Sequence, residues 1–272
     1  MSRANGVTLW PSAAAFDAVA ESYDLRFTDT AVGRAQRKQV WASLLTAFPA
    51  GSRILELNCG TGEDARFLSR QGRSVVACDA SAAMLEVARN HSEDGSYTKV
   101  QYLQVANEDL GALAGAEPFQ GAFSNFSGLN CVSDLAQVAR DLARLVIADG
   151  RVLLCLWGRV CVFEVLWYLV HGQPRTAARR FSGKATAHLG GRAIAVFYPT
   201  AGQVCRCFSP WFRLRSQRAI GVFVPPSYVE QSIRNRPKLL ERLEWLDSFC
   251  KDWPIFRSAG DHMLLEFTRC YS

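Results

Sequence analysis

Ile54-Leu-Glu-Leu-Asn-Cys-Gly60-Thr-Gly62-Glu-Asp-Ala-Arg-Phe-Leu68 carries an apolar run into a glycine turn and then into a helical pattern. Strand, turn and helix in that order bring backbone amides close to a nucleotide-like ligand at the carboxyl end of a parallel sheet. Gly60-x-Gly62-x-x-Ala65 also fits the loose dinucleotide pattern, and Asp79 closes the next apolar run, where a carboxylate holds ribose hydroxyls.

Outward from this stretch, short aliphatic runs alternate with amphipathic ones. Residues 53–57, 74–78, 100–105, 121–126 and 151–157 read as strands, and 63–71, 81–90 and 134–147 as helices. That alternation predicts an α/β fold, a doubly wound parallel sheet with helices on both faces. Residues 13–23 and 32–48 read as helices ahead of it. After Trp157 the rhythm breaks. Residues 160–172 read as a buried helix, 192–198 and 203–208 as a hairpin around Pro-Thr-Ala-Gly, 211–224 and 262–268 as strands, and 239–250 as a helix.

Charge separates the cofactors that such a turn accepts. A dinucleotide sets its pyrophosphate against the helix N-terminus, but Glu63 and Asp64 occupy that first turn and Glu56 closes the strand behind it. These carboxylates repel phosphates and suit a ligand with an ammonium, a sulfonium and a ribose, as in S-adenosylmethionine. Favouring the helix dipole accounts for Glu63 and Asp64 equally well, but not for Glu56 on an apolar strand.

The chain has 272 residues, 49% hydrophobic and 21% charged, which excludes a disordered or fibrous protein. Its net charge of +6 divides unevenly: 13 Lys/Arg against 17 Asp/Glu through Gly150, then 18 against 8. The nine cysteines are scattered, with no C-x-x-C pair and no histidine at metal-ligand spacing, so no metal site is indicated and a reducing compartment is expected. The longest apolar stretch, residues 160–170, is short and contains Glu164, so a cytoplasmic protein with no membrane span is expected.

The motif Glu-Leu-Asn-Cys-Gly-Thr-Gly, followed by Val-Val-Ala-Cys-Asp79-Ala-Ser-Ala-Ala-Met84, resembles the class I S-adenosylmethionine-dependent methyltransferases, of the type that includes quinone-biosynthesis methyltransferases. The resemblance covers roughly residues 16–157. It implies a Rossmann-like seven-stranded sheet with an antiparallel last strand, an N-terminal helical lid (1–50), a cofactor core (51–157), an inserted cap after the fifth strand (158–207) and closing elements (208–272). By matching, Glu56, Asn58, Gly60 and Gly62 hold the methionine end, Asp79 and Ala80 the ribose side, and Met84 packs near the adenine. Asn107 and Glu108 meet the adenine edge, Asn125 ends beside the transferred methyl, and Tyr23 and Arg37 reach in from the lid. Asn58 stands where relatives commonly have glycine, and asparagine tolerates the positive φ that such a turn needs.

Methyl transfer from a sulfonium is mainly a matter of positioning, and a base is optional. The acceptor is expected to be a small molecule, apolar and aromatic or anionic, with Phe163, Trp167, Tyr168, Phe197, Tyr198, Trp211 and Tyr228 forming a chamber. His262 and Tyr198 are the candidate catalytic residues; His171 and His188 also fall in the segments predicted around the acceptor. Arg175, Arg179, Arg180, Lys184 and Arg192 form a basic run that reads as a solvated face or as a site for an anion or RNA. An RNA methyltransferase, an NAD(P)-dependent oxidoreductase and a non-catalytic cofactor-binding subunit remain as alternatives.

Overall fold

The computed structural model describes residues 3–4, 7–8, 10–92 and 99–271. Its centre is a seven-stranded sheet built from Arg53–Leu57 (β1), Ser74–Asp79 (β2), Val100–Gln104 (β3), Phe119–Ser124 (β4), Val146–Trp157 (β5), Phe212–Ile220 (β8) and His262–Arg269 (β9). Across the sheet the order is β8-β9-β5-β4-β1-β2-β3. The strands from β5 to β3 pair in parallel; β9 runs antiparallel to both β5 and β8, the arrangement that the resemblance implied. The order reverses beside β1, so a crevice opens at the carboxyl ends of β1, β2 and β4.

Side-chain caps start the flanking helices. The Thr30 hydroxyl accepts the Gly33 amide at 2.9 Å to begin Ala31–Ala47 (α3), Ser81 starts Ala82–Asn90 (α5), and the Asp134 carboxylate accepts from Gln137 to begin Leu135–Leu145 (α6). On one face α6 packs Val138 and Leu142 against the sheet; on the other, α3 packs Val40 and Leu44, and Glu63–Arg70 (α4) packs Leu68, against the opposite side of it. Each fully buried leucine or phenylalanine contributes roughly 1.5–3 kcal/mol.

Ahead of α3, Pro11–Asp17 (α1) and Ala20–Tyr23 (α2) lie over the crevice. Between β5 and β8 come Val162–Val170 (α7), Pro174–Ala177 (α8), the hairpin Lys184–Leu189 (β6) and Arg192–Phe197 (β7), and Ala201–Phe208 (α9). The hairpin is not the expected one. Residues 192–197 pair backwards with 184–189 across Gly190-Gly191, both at positive φ, while 203–208 is helical. A reciprocal capping box between Thr200 and Gln203 starts α9, and Val204 and Phe208, one turn apart, enter the core; these local bonds outweigh the strand-like composition. The helix α7 is likewise not buried: Val162, Leu166, Leu169 and Val170 are exposed. Past β8, Pro237–Cys250 (α11) follows the short Glu230–Ile233 (α10) and leads back to β9.

Candidate active site

The turn after β1 is held open by three residues in the left-handed region: Asn58 (φ 50), Gly60 (φ 55) and Gly62 (φ 78). Asn58 does more than tolerate its conformation. Its Oδ1 accepts the Ser124 hydroxyl at 2.7 Å and its Nδ2 donates to the Asn125 carbonyl at 3.0 Å, tying the end of β1 to the end of β4. Asp79, at the end of β2, accepts the Gly60 amide at 2.8 Å and the Ser81 amide at 2.9 Å. Burial raises the pKa of its carboxyl, and those amides work against the rise.

The acidic residues that favoured a cationic ligand already have partners. Asp64 is buried with Arg37 at 2.7 Å, and accepts from Trp41 Nε1 at 2.6 Å and from Asn125 Nδ2 at 2.9 Å; Glu63 pairs with Arg66 at 2.7 Å. The charge argument from these two carboxylates is therefore weaker than the sequence made it. Glu56 is buried beneath the turn, where burial pushes its carboxyl well above the usual range, and its Oε2 has no hydrogen-bond partner.

These elements border a cleft of about 820 Å³, counting its open mouth. Tyr23, Arg37, Asn58, Gly60, Asp79, Ala80, Met84, Asn107, Glu108 and Asn125 all line it. Among the residues expected on the cofactor, Glu56 and Gly62 do not. Gly62 serves packing: a Cβ there stands 2.6 Å from the Tyr102 hydroxyl and 3.0 Å from Ala88 Cβ. Arg37 crosses the rings of Phe126 (4.8 Å) and Phe27 (5.7 Å), and its Nε is buried without a partner, a donor suited to an incoming carboxylate. Tyr23 is half-buried, its pKa pushed up to about 12 by desolvation. The Asp24 carboxylate accepts the Thr61 hydroxyl at 2.6 Å and Asp17 accepts that of Ser81 at 2.6 Å, fastening the N-terminal segment to both loops of the cleft.

Sequence reasoning did not put Phe16, Phe126, Cys131 and Val132 among the site residues; all four line the cleft, Phe16 from α1 and the others from the segment after β4. Phe126 and Ser127 both have positive φ (44 and 69), strain of a kind that gathers at functional sites and that no motif announced.

The two candidate catalytic residues lie outside the cleft lining. His262 is buried behind Phe126, the rings 5.4 Å apart, and beside Trp157 at 5.9 Å; Tyr198 lies tilted against Trp157 at 6.3 Å. Burial lowers the His262 pKa to about 4, so its imidazole is neutral near pH 7. The expected aromatic chamber does not line the cleft either: none of its seven named rings does so. In the basic run, Arg180 is buried, not solvated. It bonds Glu164 through Nε and Nη2 (3.1 and 2.6 Å) and Asp261 through its carbonyl and carboxylate (2.9 and 2.8 Å), while Arg179 holds Glu164 with two further bonds of 2.9 Å.

Comparison with known proteins agrees with this geometry. A methyltransferase domain family matches residues 54–150. Demethylmenaquinone methyltransferase of Thermobifida fusca is 29% identical over 181 residues, 65% of this chain and 75% of that one. The Corynebacterium kroppenstedtii protein of the same name is 31% identical over 172 residues, 60% and 68% of the two chains. The fold matches an S-adenosylmethionine-dependent methyltransferase from Mesorhizobium loti with a TM-score of 0.55, at 18% identity, over 84% of this chain and 97% of that one. The chain belongs to the class I S-adenosylmethionine-dependent methyltransferases, of the type that includes quinone-biosynthesis enzymes. It is an enzyme that transfers a methyl group from S-adenosylmethionine to a small-molecule acceptor.

Proposed function

We propose that the acceptor is a quinone-type ring bearing an apolar side chain. The observation that carries this reading is the apolar part of the cleft lining, Phe16 from α1 and Phe126, Cys131 and Val132 from the segment after β4, which supplies apolar contact for a ring. The names of the relatives point the same way: demethylmenaquinone and 2-phytyl-1,4-naphthoquinone methyltransferases. With Arg179 and Arg180 paired inside the protein, the basic run loses its best contacts for an RNA backbone.

Bound S-adenosylmethionine supplies a methyl already activated on a sulfonium, so the chain's work is alignment and exclusion of water. In this reading Asp79 and the loop at Gly60 and Ala80 hold the ribose, Met84, Asn107 and Glu108 the adenine, and Tyr23, Arg37, Asn58 and Asn125 the methionine end. Phe16 and Phe126 set the acceptor plane. His262 and Trp157 support Phe126 from behind, which makes His262 a positioning residue and not the base. The N-terminal helices act as a lid and the segment after β5 as a cap.

Transfer of a labelled methyl to a short-chain, water-soluble naphthoquinol tests the assignment. Product is expected, with little transfer to catechols or RNA. Tight cofactor binding by calorimetry with no transfer to any quinol overturns the acceptor and leaves the enzyme class standing.

A further inference from the structure

The helix α7 is inside-out for a surface helix. Its one charged residue, Glu164, faces inward onto Arg179 and Arg180, and its aliphatic residues Val162, Leu166, Leu169 and Val170 face solvent at i, i+4, i+7 and i+8, with Leu166 58% and Val170 84% exposed. A ridge of that kind on a surface marks an interaction site. The ridge continues past its N-terminus: the Val162 amide donates to the Ala259 carbonyl at 3.0 Å, and Ala259 ends the series of turns that carries exposed Trp253 and Ile255.

Charge identifies the occupant. From residue 158 to residue 229 the sequence holds ten Lys/Arg and one carboxylate, and that carboxylate is the buried Glu164. The ridge therefore stands beside exposed cations such as Arg175, Lys184 and Arg192, with no exposed acid in that segment, and the exposed Asp252 next to Trp253 in the adjoining turn is paired with Arg218 at 2.8 Å. Aliphatic and tryptophan side chains with surrounding basic residues match the boundary of an anionic lipid bilayer, where apolar groups sink to acyl depth and cations stay with the headgroups. A protein partner of ordinary composition offers no comparable reason for excluding every exposed acid over that length.

We infer that α7 and the adjoining turn at Trp253 and Ile255 dock this enzyme on anionic membrane lipid. The inference deepens the quinone reading and rests on it, because an acceptor with a phytyl-like tail resides in the bilayer and a chain that meets the surface reaches it there. Among the described residues no helix is long and apolar enough to cross a membrane, so attachment of this kind is peripheral.

Co-sedimentation of the full chain with phosphatidylcholine vesicles, with and without about 30% phosphatidylglycerol, tests the docking. Binding is expected only with the anionic lipid, and it falls at least about tenfold in about 0.5 M salt. Combined Leu166→Ser, Leu169→Ser and Val170→Ser substitution lowers vesicle binding at least about tenfold, with cofactor binding and methylation of the soluble naphthoquinol unchanged. Arg175→Gln with Arg192→Gln, at exposed positions, weakens binding to anionic vesicles as an independent check. Equal binding to neutral vesicles, or undiminished binding by the serine variant, overturns the docking. So does a dimer seen by light scattering that the serine variant dissolves. Vesicle binding intact with no transfer to any quinol supports the docking and overturns the acceptor reading alone.

Discussion

Two buried arginines stand on either side of the Phe126–His262 pair, and they differ in how completely they are used. Arg180 spends its donors on Glu164 and Asp261, and none of the three lines the cleft. Arg37 pairs with Asp64, stacks on Phe27 and Phe126, and keeps Nε without a partner at the edge of the cleft. A saturated buried network fixes an architecture, whereas an unsaturated one is costly unless a ligand completes it. The contrast separates scaffold from site more sharply than charge alone, since both clusters lie in basic and acidic company.

Breaking the saturated cluster has the largest expected effect. Arg180→Met leaves the buried Asp261 carboxylate without its guanidinium and Glu164 with Arg179 alone, at a cost of about 3–5 kcal/mol seen in chemical denaturation. Wild-type stability also falls on the acid side, because a folded imidazole with a pKa of about 4 must take up a proton that the unfolded chain accepts at 6.5. That stability is complete above pH 6.5 and is lost as pH falls from 6.5 through 4, amounting to about 3 kcal/mol. Denaturation midpoints across this window check it, and His262→Phe flattens the slope. Asp261, held below the ordinary carboxylate range by His262 and Arg180 against burial, adds its own loss only at lower pH.

On the unsaturated side the readout moves from stability to affinity. Asp79→Asn weakens S-adenosylmethionine binding by about ten- to a hundredfold in calorimetry, since a charge-assisted acceptor is worth about 1.5–3 kcal/mol. Gly62→Ala sharpens the same distinction: positive φ and the approach to Tyr102 cost about 1–2 kcal/mol of stability, while the cofactor dissociation constant of the folded protein stays put. Arg37→Lys keeps the charge opposite Asp64 and loses the planar donor, giving about tenfold weaker cofactor binding.

Much of the fold was legible because local and global signals agree through Trp157: caps at Thr30, Ser81 and Asp134, glycine turns, and aliphatic runs of strand length. Ten of the twelve residues expected on the cofactor line one cleft. The two exceptions have physical causes. Glu56 lies in a strand buried on both faces, on the same face as Ile54, and Gly62 is demanded by the packing of α5 and β3 against the turn. The insertion was poorly legible because its pairings are long-range. Nothing in the spacing of Glu164, Arg180 and Asp261 foretells that they meet, and a run of arginines reads as a solvated face until its partners are known. The hairpin error was avoidable: Gly190-Gly191 between alternating residues is the stronger turn signal.

Adjacent residues of α1 look in two directions. Ala15 is packed in the cluster formed by Ile194, Val196 and Tyr198 of the insertion, where Gly190 approaches Ala18 so closely that a Cβ would stand 2.5 Å from it; Phe16 lines the cleft. A seven-residue helix therefore carries both contacts on one short rigid body. A side chain that pushes the hairpin away from α1, as a Cβ at Gly190 does, is expected to move Phe16 with it, so the shape of the cleft answers to a contact made outside it.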